Sequence, residues 1–212
     1  MLLPAFYPIL DPQTALRKGL DPVWVAREIL AAGAQILQFR HKGFFSRDAC
    51  RMLEQVAELC LGSGALLVVN DRADLARIFH HNHPGAALHL GQDDLAPGDA
   101  RRVTGPDLAI GFSTHNEAQL RAAESEPVDY LALGPIFGTA TKENPDPRVG
   151  LAELRRLRPL TARPLAAIGG ITLENARAVR DAGADSVAVI GGLFPEDGGI
   201  RAAAKRWIRL LG

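Results

Sequence analysis

The chain has 212 residues, 47% of them hydrophobic, and its 24 lysines and arginines balance 24 aspartates and glutamates. That length suits one large domain with a substantial core. Zero net charge provides no long-range field for nucleic acid or an anionic membrane, so we expect neither as a partner, and an anionic ligand must be held by local groups.

Short apolar runs alternate with longer amphipathic segments, a pattern typical of buried parallel strands joined by helices. Eight strands are predicted, each followed by a helical segment: Ala5–Leu10, Gln35–Phe39, Ala65–Val69, Ala86–His89, Leu108–Gly111, Tyr130–Leu133, Leu165–Ile168 and Ser186–Ile190. Eight pairs predict a single α/β domain over residues 1–212, a (βα)8 TIM barrel. An open doubly wound sheet is the alternative, but it favours a glycine-rich first turn, and DPQTAL follows the first strand.

The N-terminal run MLLPAFYPIL is apolar but short and contains two prolines, so neither a signal peptide nor a membrane span is predicted. Cys50 and Cys60 lie in one apparently helical stretch with no histidine at metal-ligand spacing, which favours buried free thiols. We expect a cytoplasmic protein.

Chemistry in such barrels lies where the strands end, so the polar residues there are the candidates for a site. After the second strand, Gln38, Arg40 and Lys42 alternate along an extended segment, which places them on one side. A guanidinium and an ammonium together suit a polyphosphate. A solvated basic loop is the simpler interpretation of RHK alone.

Acidic residues follow the next two strands. Asp71 comes directly after LLVVN, and Asp93 and Asp94 come after ALHLGQ. Two carboxylates on neighbouring strand ends could share a magnesium ion, completed by water and substrate phosphates. A helix N-cap is the alternative role for Asp71, and a plain turn is the alternative for the other two.

The fifth and sixth strands end in hydroxyl-bearing segments. Ser113 could donate to a phosphate or a ring nitrogen, although a helix N-cap is the commoner role, and His115 is more often an exposed helix-start residue than a base. The irregular stretch Thr139–Arg148 places two threonines and Lys142 in a loop that could close over an anion.

Glycine pairs follow the seventh and eighth strands, in AIGGIT and AVIGG. Backbone amides at these turns form the phosphate site expected of a barrel, although each pair alone could be a tight turn. The layout therefore indicates two anion sites, suited to two phosphorylated substrates or to one with phosphates at both ends.

Seven motifs, QFRHK, VNDR, HLGQDD, GFSTH, LGPIFGTATK, AIGGIT and AVIGG, occur in order over most of the chain. Together they resemble the thiamine phosphate synthase family. The resemblance implies a transferase of thiamine biosynthesis that joins a hydroxymethylpyrimidine diphosphate to a thiazole phosphate, or its carboxylated form. It also implies a Mg²⁺ cofactor, a dissociative mechanism, release of pyrophosphate and no protein nucleophile.

Carried over by position, the resemblance implies a site in three parts. The pyrimidine diphosphate would be held by Gln38, Arg40, Lys42, Asn70, Ser113 and Lys142. The substrate-binding residues would also include Phe39, His41 and Ala140. Magnesium would be bound by Asp71 and Asp94. The thiazole phosphate would be held by Thr139, Thr141, Gly170, Ile190 and Gly191. Catalysis would rest on Arg40, Lys42, Lys142 and Ser113.

Three positions depart from the family pattern. His41 stands where a glutamate is usual, and we expect little effect because period two turns it away from the donors. Gly191 stands where a serine is common, which keeps a backbone contact but removes a hydroxyl. The first strand, YPILD, matches only loosely, so no substrate contact is assigned to it.

Two other functions stay open from the sequence. A thiazole tautomerase on the same barrel would use a histidine near His115 as its base and would need no diphosphate site. A non-catalytic barrel could bind a phosphorylated metabolite and dispense with the metal acids. We expect small-molecule substrates in either enzyme, and a homo-oligomer is possible.

Overall fold

Eight short apolar segments pair in sequence order as parallel strands, and the last pairs with the first to close a barrel. The computed structural model describes residues 2–82, 85–138, 147–195 and 199–212. Its strands are β1 (Phe6–Leu10), β2 (Ile36–Phe39), β3 (Leu66–Asn70), β4 (Ala87–Leu90), β5 (Ile110–Thr114), β6 (Tyr130–Leu133), β7 (Leu165–Ile168) and β8 (Ser186–Val189). The predicted (βα)8 barrel is confirmed.

Helices follow every strand and form the outer shell. In the described ranges they are α1 (Pro12–Arg17), α2 (Pro22–Ala31), α3 (Arg47–Ser63), α4 (Ala73–Asn82), α5 (Pro97–Thr104), α6 (Glu117–Ala123), α7 (Gly150–Leu157), α8 (Ala176–Asp181) and α9 (Ile200–Leu211). Single 3-10 turns occur at Arg158–Leu160 and Gly191–Leu193. None of these helices is long and apolar enough to cross a bilayer.

The helix boundaries follow from local chemistry. The Asp21 carboxylate accepts the N–H of Trp24 at 2.7 Å and Pro22 begins α2, so both an N-cap and a preset backbone angle start the helix. Ser46 caps α3 in the same way, and Gly64 ends it in the left-handed region at φ 70°.

The predicted bounds of β5 were wrong, whereas those of β6 and β7 are confirmed. The strand runs from Ile110 to Thr114 instead of starting at Leu108. The guanidinium of Arg101 donates to the carbonyl of Leu108 at 2.5 Å, so that carbonyl is engaged outside the strand ladder. At its other end β5 continues to pair with β6, where Thr114 lies opposite Leu133.

Both cysteines lie in α3 and both are free, as the sequence predicts, but Cys50 is only partly buried. Cys60 faces the core and is 1% exposed. Burial raises the pKa of its thiol to about 12, so it is protonated and inert at neutral pH.

Two apolar layers stabilise the barrel. The larger one lies between the sheet and the helices, and the smaller fills the barrel itself. The two tyrosines of the chain, Tyr7 and Tyr130, are both inside the barrel among small residues such as Ala132, Ala166 and Ala188. Gly111 lies opposite Tyr130, and a Cβ at residue 111 would overlap the Tyr130 ring. Large and small residues therefore interdigitate inside the barrel.

Two aspartates fix strand register at the amino-terminal end of the barrel. Asp129, directly before β6, accepts the N–H of Ile110 at 2.8 Å, while its own N–H donates to the Ile110 carbonyl at 2.7 Å. Asp185, directly before β8, makes the same reciprocal pair with Leu165, with both bonds at 2.8 Å. Each carboxylate also accepts from an arginine, Arg101 or Arg158.

Candidate active site

The carboxyl ends of the strands meet at one face of the barrel because all eight are parallel. Polar side chains replace the apolar filling at this level. The buried ones include Asp11, Gln38, Asn70 and His89, which are 2–8% exposed. Burying polar groups costs free energy unless they are hydrogen-bonded, and binding sites are where such groups converge. This face is therefore the candidate site.

Arg40 does not reach into solvent but pairs with an acid that follows β1. Its guanidinium Nη1 lies 2.5 Å from Oδ2 of Asp11, and the two side chains are 21% and 7% exposed. The other oxygen of Asp11 accepts the N–H of Thr14 at 2.8 Å and caps α1. Sequence reasoning missed Asp11, although an aspartate before a predicted helix is a recognisable N-cap signal.

Lys42 lies between the two acids that the sequence predicted as metal ligands. Its Nζ is 2.6 Å from Oδ2 of Asp71 and 4.0 Å from Oδ2 of Asp94. Asp94 is held in place by the N–H of Gly91, which donates to Oδ2 at 2.7 Å. Its sequence neighbour Asp93 is exposed. The structure thus distinguishes the two acids of GQDD and turns the second one toward Asp71.

The carboxylates of Asp71 and Asp94 lie close enough to interact, and each affects the pKa of the other. Burial, followed by the hydrogen bond with Asp94, raises the pKa of Asp71 to about 6. Burial opposes ionisation of Asp94, but hydrogen bonds from Asp71 and Gly91, together with the charge of Lys42, leave its pKa lowered. Oδ1 of Asp71 is buried with no hydrogen-bond partner among the described residues. The backbone of Asp71 also adopts φ 66°, a left-handed conformation that residues other than glycine rarely adopt.

These residues fit a hard divalent cation. Three carboxylates, those of Asp11, Asp71 and Asp94, face the two cations Arg40 and Lys42, so this cluster of five side chains carries one negative charge in excess. Mg²⁺ typically takes one or two protein carboxylates and completes its shell with water and phosphate oxygens. No group of three or more potential metal ligands occurs in the described ranges, so the ion would depend on such outside oxygens.

Asn70 and His41 take different positions beside this cluster. The Asn70 amide is 6% exposed, and its Nδ2 has no hydrogen-bond partner in the described part of the chain, as expected of a donor that waits for a ligand. His41 turns the other way and stacks on Phe39, with ring centroids 6.4 Å apart and planes at 11°. Its ring also contacts Phe45. The orientation predicted for His41 agrees with this placement.

Ser113 and Gln38 are the two ends of a hydrogen-bonded chain across the barrel interior. Gln38 Nε2 donates to the Tyr7 hydroxyl at 3.0 Å, and the hydroxyls of Tyr7 and Tyr130 are 2.8 Å apart. The Tyr130 hydroxyl lies 3.0 Å from Nδ1 of His89, whose Nε2 lies 2.9 Å from Oγ of Ser113. Sequence reasoning missed the three middle residues.

Ser113 is therefore not the N-cap of α6. That role belongs to Asn116, whose side chain accepts the N–H of Gln119 at 2.9 Å. His115 is half-buried rather than exposed, and its Nδ1 lies 2.6 Å from the carbonyl oxygen of Gly134. Its backbone N–H donates to Gln119, so His115 joins the end of β5 to the segment after β6.

The glycine pair after β7 packs against the chain that leaves β6. Ile136 and Phe137 donate backbone hydrogen bonds to Ile168 and Gly169 at 2.8 and 2.9 Å. Gly170 has φ 62°, and a Cβ there would overlap the carbonyl oxygen of Gly138. Only glycine fits such a close approach, which brings the two segments together at the mouth.

The turn after β8 is more open. A 3-10 turn at Gly191–Leu193 follows Ile190, and a Cβ at Gly191 would meet no heavy atom within 4 Å. The serine common in the family would fit there, so glycine is not required by packing. Gly192, by contrast, accepts the indole N–H of Trp207 at 3.0 Å through its carbonyl. The predicted residues Thr139, Ala140, Thr141 and Lys142 lie outside the described residues.

Fold and site together define a (βα)8-barrel protein with an ion-paired, partly desolvated polar face at its strand ends. The chain belongs to the thiamine monophosphate synthase family, whose sequence profile matches residues 6–193.

Individual relatives agree with this assignment. A thiamine-phosphate synthase of Koribacter versatilis is 45% identical over 99% of this chain and 96% of its own length. One of Chlorobium phaeovibrioides is 46% identical over 81% of this chain and 80% of its own. The solved structure of a thiamine phosphate pyrophosphorylase from Pyrococcus furiosus is similar with a TM-score of 0.83 and 27% identity, covering 98% and 95% of the two chains.

Proposed function

We propose that this chain is the transferase that forms thiamine phosphate from a hydroxymethylpyrimidine diphosphate and a thiazole phosphate, releasing pyrophosphate. The observation that carries the proposal is the cluster of Lys42, Asp71 and Asp94 at the mouth of a barrel from this family. An enzyme that handles no diphosphate has little reason to keep a paired ammonium and two acids at this position. The tautomerase and the non-catalytic barrel are therefore not favoured.

We further propose that Asp71 and Asp94 hold Mg²⁺ when the diphosphate binds. The bound ion would neutralise charge on the leaving pyrophosphate. The Asp71 oxygen without a described partner and the excess of acids support this assignment. Lys42, now shared between the two acids, is placed to turn its ammonium toward phosphate oxygens once the cation takes its position beside the carboxylates.

The remaining residues bind and orient. Arg40, fixed by Asp11, presents a guanidinium that suits a second phosphate. Asn70 supplies an amide donor, while Gln38 and Ser113 face the pyrimidine. We place the thiazole phosphate against the glycine turns of Gly170 and Gly191 and the threonines of the Thr139–Lys142 segment. The chain's contribution to the rate is then electrostatic stabilisation and alignment of the two rings.

The deciding assay is pyrophosphate release from the purified protein supplied with both heterocycles and Mg²⁺. We expect release only when both are present. Lys42→Ala and Lys142→Ala should each lower kcat/KM by about 10²–10³-fold, since each removes one group that stabilises the departing charge. Lys205→Ala, at an exposed position of α9, is the matched control and should leave kcat/KM unchanged. A folded wild-type protein that releases no pyrophosphate would refute the proposal.

The metal assignment has its own test, because the chain offers a matched pair of adjacent acids. Asp94→Asn should raise the Mg²⁺ concentration needed for half-maximal activity by about 10-fold or more, as expected when a metal site is damaged. Asp93→Asn should not, because that side chain is exposed. Equal responses of the two variants would contradict the assignment.

A further inference from the structure

The interior chain Gln38–Tyr7–Tyr130–His89–Ser113, referred to below as the relay, connects two residues of the proposed pyrimidine site through three to which the sequence analysis assigns no role. Four contacts of 2.8–3.0 Å link five polar side chains. They come from β1, β2, β4, β5 and β6, so the relay crosses the barrel. Tyr7 and Tyr130 are 1% and 0% exposed.

Proton counting gives the relay a direction. The Gln38 carboxamide donates from Nε2, so the Tyr7 hydroxyl accepts. Tyr7 has one proton of its own, which satisfies the bond to Tyr130. If Tyr130 donated instead, the Tyr7 proton would be buried with no acceptor among the described contacts, at a cost of about 1–3 kcal/mol.

The same counting continues to Ser113. Tyr130, having accepted from Tyr7, donates its proton to Nδ1 of His89. A neutral imidazole carries one N–H, so the proton of His89 is on Nε2 and points at Oγ of Ser113. Ser113 accepts from His89 and keeps its hydroxyl proton for another partner.

The two ends of the relay are consequently coupled. With Nε2 of Gln38 engaged, its carbonyl oxygen Oε1 is the acceptor left for a ligand, and the Ser113 hydroxyl is the donor. Rotating the Gln38 amide by half a turn would reverse every bond in the series and make Ser113 donate to His89. The relay therefore has two complete arrangements, and the ends change together.

We propose that Tyr7, Tyr130 and His89 are positioning residues that set the hydrogen-bond polarity of the pyrimidine site and so determine its specificity for an aminopyrimidine. This inference rests on the proposed function. In a ring with an exocyclic amino group and an unprotonated nitrogen, the amino group would donate to Gln38 Oε1 and the nitrogen would accept from the Ser113 hydroxyl. The 4-oxo counterpart of the same ring offers the reverse pattern, so it fits only the reversed relay, in which all four hydrogen bonds have changed direction.

The first test needs no ligand. Long-range ¹⁵N–¹H correlation on the ¹⁵N-histidine-labelled protein at pH 7 reports which ring nitrogen carries the proton. His89→Gln identifies the His89 signals among the six histidines by their loss. We expect the Nε2–H tautomer. A proton on Nδ1, or on both nitrogens, would overturn the assigned polarity.

The second test measures discrimination. Binding of the aminopyrimidine diphosphate and of its 4-oxo counterpart is compared by calorimetry with Mg²⁺ present. We expect the wild-type protein to favour the amino compound by about 100-fold or more, because the oxo compound either leaves buried polar groups unpaired or requires all four relay bonds to reverse. Tyr130→Phe keeps the ring and cuts the relay, so the ratio should fall by about 10-fold through improved relative binding of the oxo compound.

Controls separate a positioning role from a structural one. Ser186→Ala also removes a buried hydroxyl of the barrel, one that donates to the Pro4 carbonyl at the opposite end, and should leave the ratio unchanged. Tyr7→Phe is the second relay variant should Tyr130→Phe fold poorly. If the relay variants weaken binding of the amino and the oxo compound equally, the proposal is overturned. A wild-type protein that binds neither compound would refute the proposed function, while the tautomer still decides the relay.

Discussion

The lowered pKa of His89 leads to a pH dependence of stability that can be worked out in advance. The ring is 8% exposed, and burial lowers its pKa from 6.5 to about 4. Between those values the unfolded chain binds a proton that the folded protein excludes. The stabilising contribution of neutral His89 is therefore complete above pH 6.5 and is lost as the pH falls toward 4.

The magnitude follows from the size of that shift. At 1.36 kcal/mol per pKa unit, the free energy of unfolding should drop by about 3 kcal/mol between pH 7 and pH 4 because of this one ring. That loss is a large part of the roughly 5–15 kcal/mol that stabilises a domain. The raised pKa of Asp71 acts in the opposite sense, since its protonated form is favoured in the folded state.

Urea unfolding at several pH values, compared between the wild-type protein and His89→Gln, isolates the contribution. The glutamine side chain does not titrate, so the two curves should differ by about 3 kcal/mol more at pH 7 than at pH 4, while the effect of Asp71 is common to both. His81→Gln, at an exposed position, should retain the wild-type pH dependence. Parallel curves for wild type and His89→Gln would refute the reasoning.

Two further substitutions test the packing of the site. Gly111→Ala should lower the free energy of unfolding by about 3–5 kcal/mol in urea titrations, because the new methyl displaces the Tyr130 ring and its two hydrogen bonds; a loss below 1 kcal/mol would contradict the packing described. Asp11→Asn keeps an N-cap for α1 but removes the counter-charge of Arg40 and should cost about 2 kcal/mol. In the same variant KM for the pyrimidine diphosphate should change more than KM for the thiazole phosphate, and equal changes would argue against a specific role for Arg40.

The fold could be predicted from the sequence because its signal is local. Each strand is a short apolar run bounded by helical periodicity, and Tyr130–Leu133 and Leu165–Ile168 were predicted to the residue. The start of β5 could not be predicted in this way. Leu108 is as apolar as a strand residue, but its carbonyl accepts a hydrogen bond from Arg101. That contact joins the helix before the strand to the strand's entry, which periodicity does not report.

The candidate site divides in the same way. Lys42, Asp71 and Asp94 were predicted together because each follows a strand and strand ends converge. Tyr7 and His89 were missed because their partners are remote in the sequence: the bond between the two tyrosine hydroxyls joins residues 123 positions apart. Taken alone, each residue would be interpreted from the sequence as part of the packed barrel interior. Their chemistry arises only when closure brings five strands around one axis.

The reciprocal pairs made by Asp129 and Asp185 have a consequence at the opposite end of the molecule. Side chains alternate across a strand, so a slip of one residue would exchange the lumen face for the helix-facing one. The hydrogen bond from Ile110 to Asp129 opposes such a slip between β5 and β6 and keeps Gly111 opposite Tyr130. The register that places Tyr130 in the proposed relay is thus fixed at the amino-terminal end of the barrel, away from the candidate site.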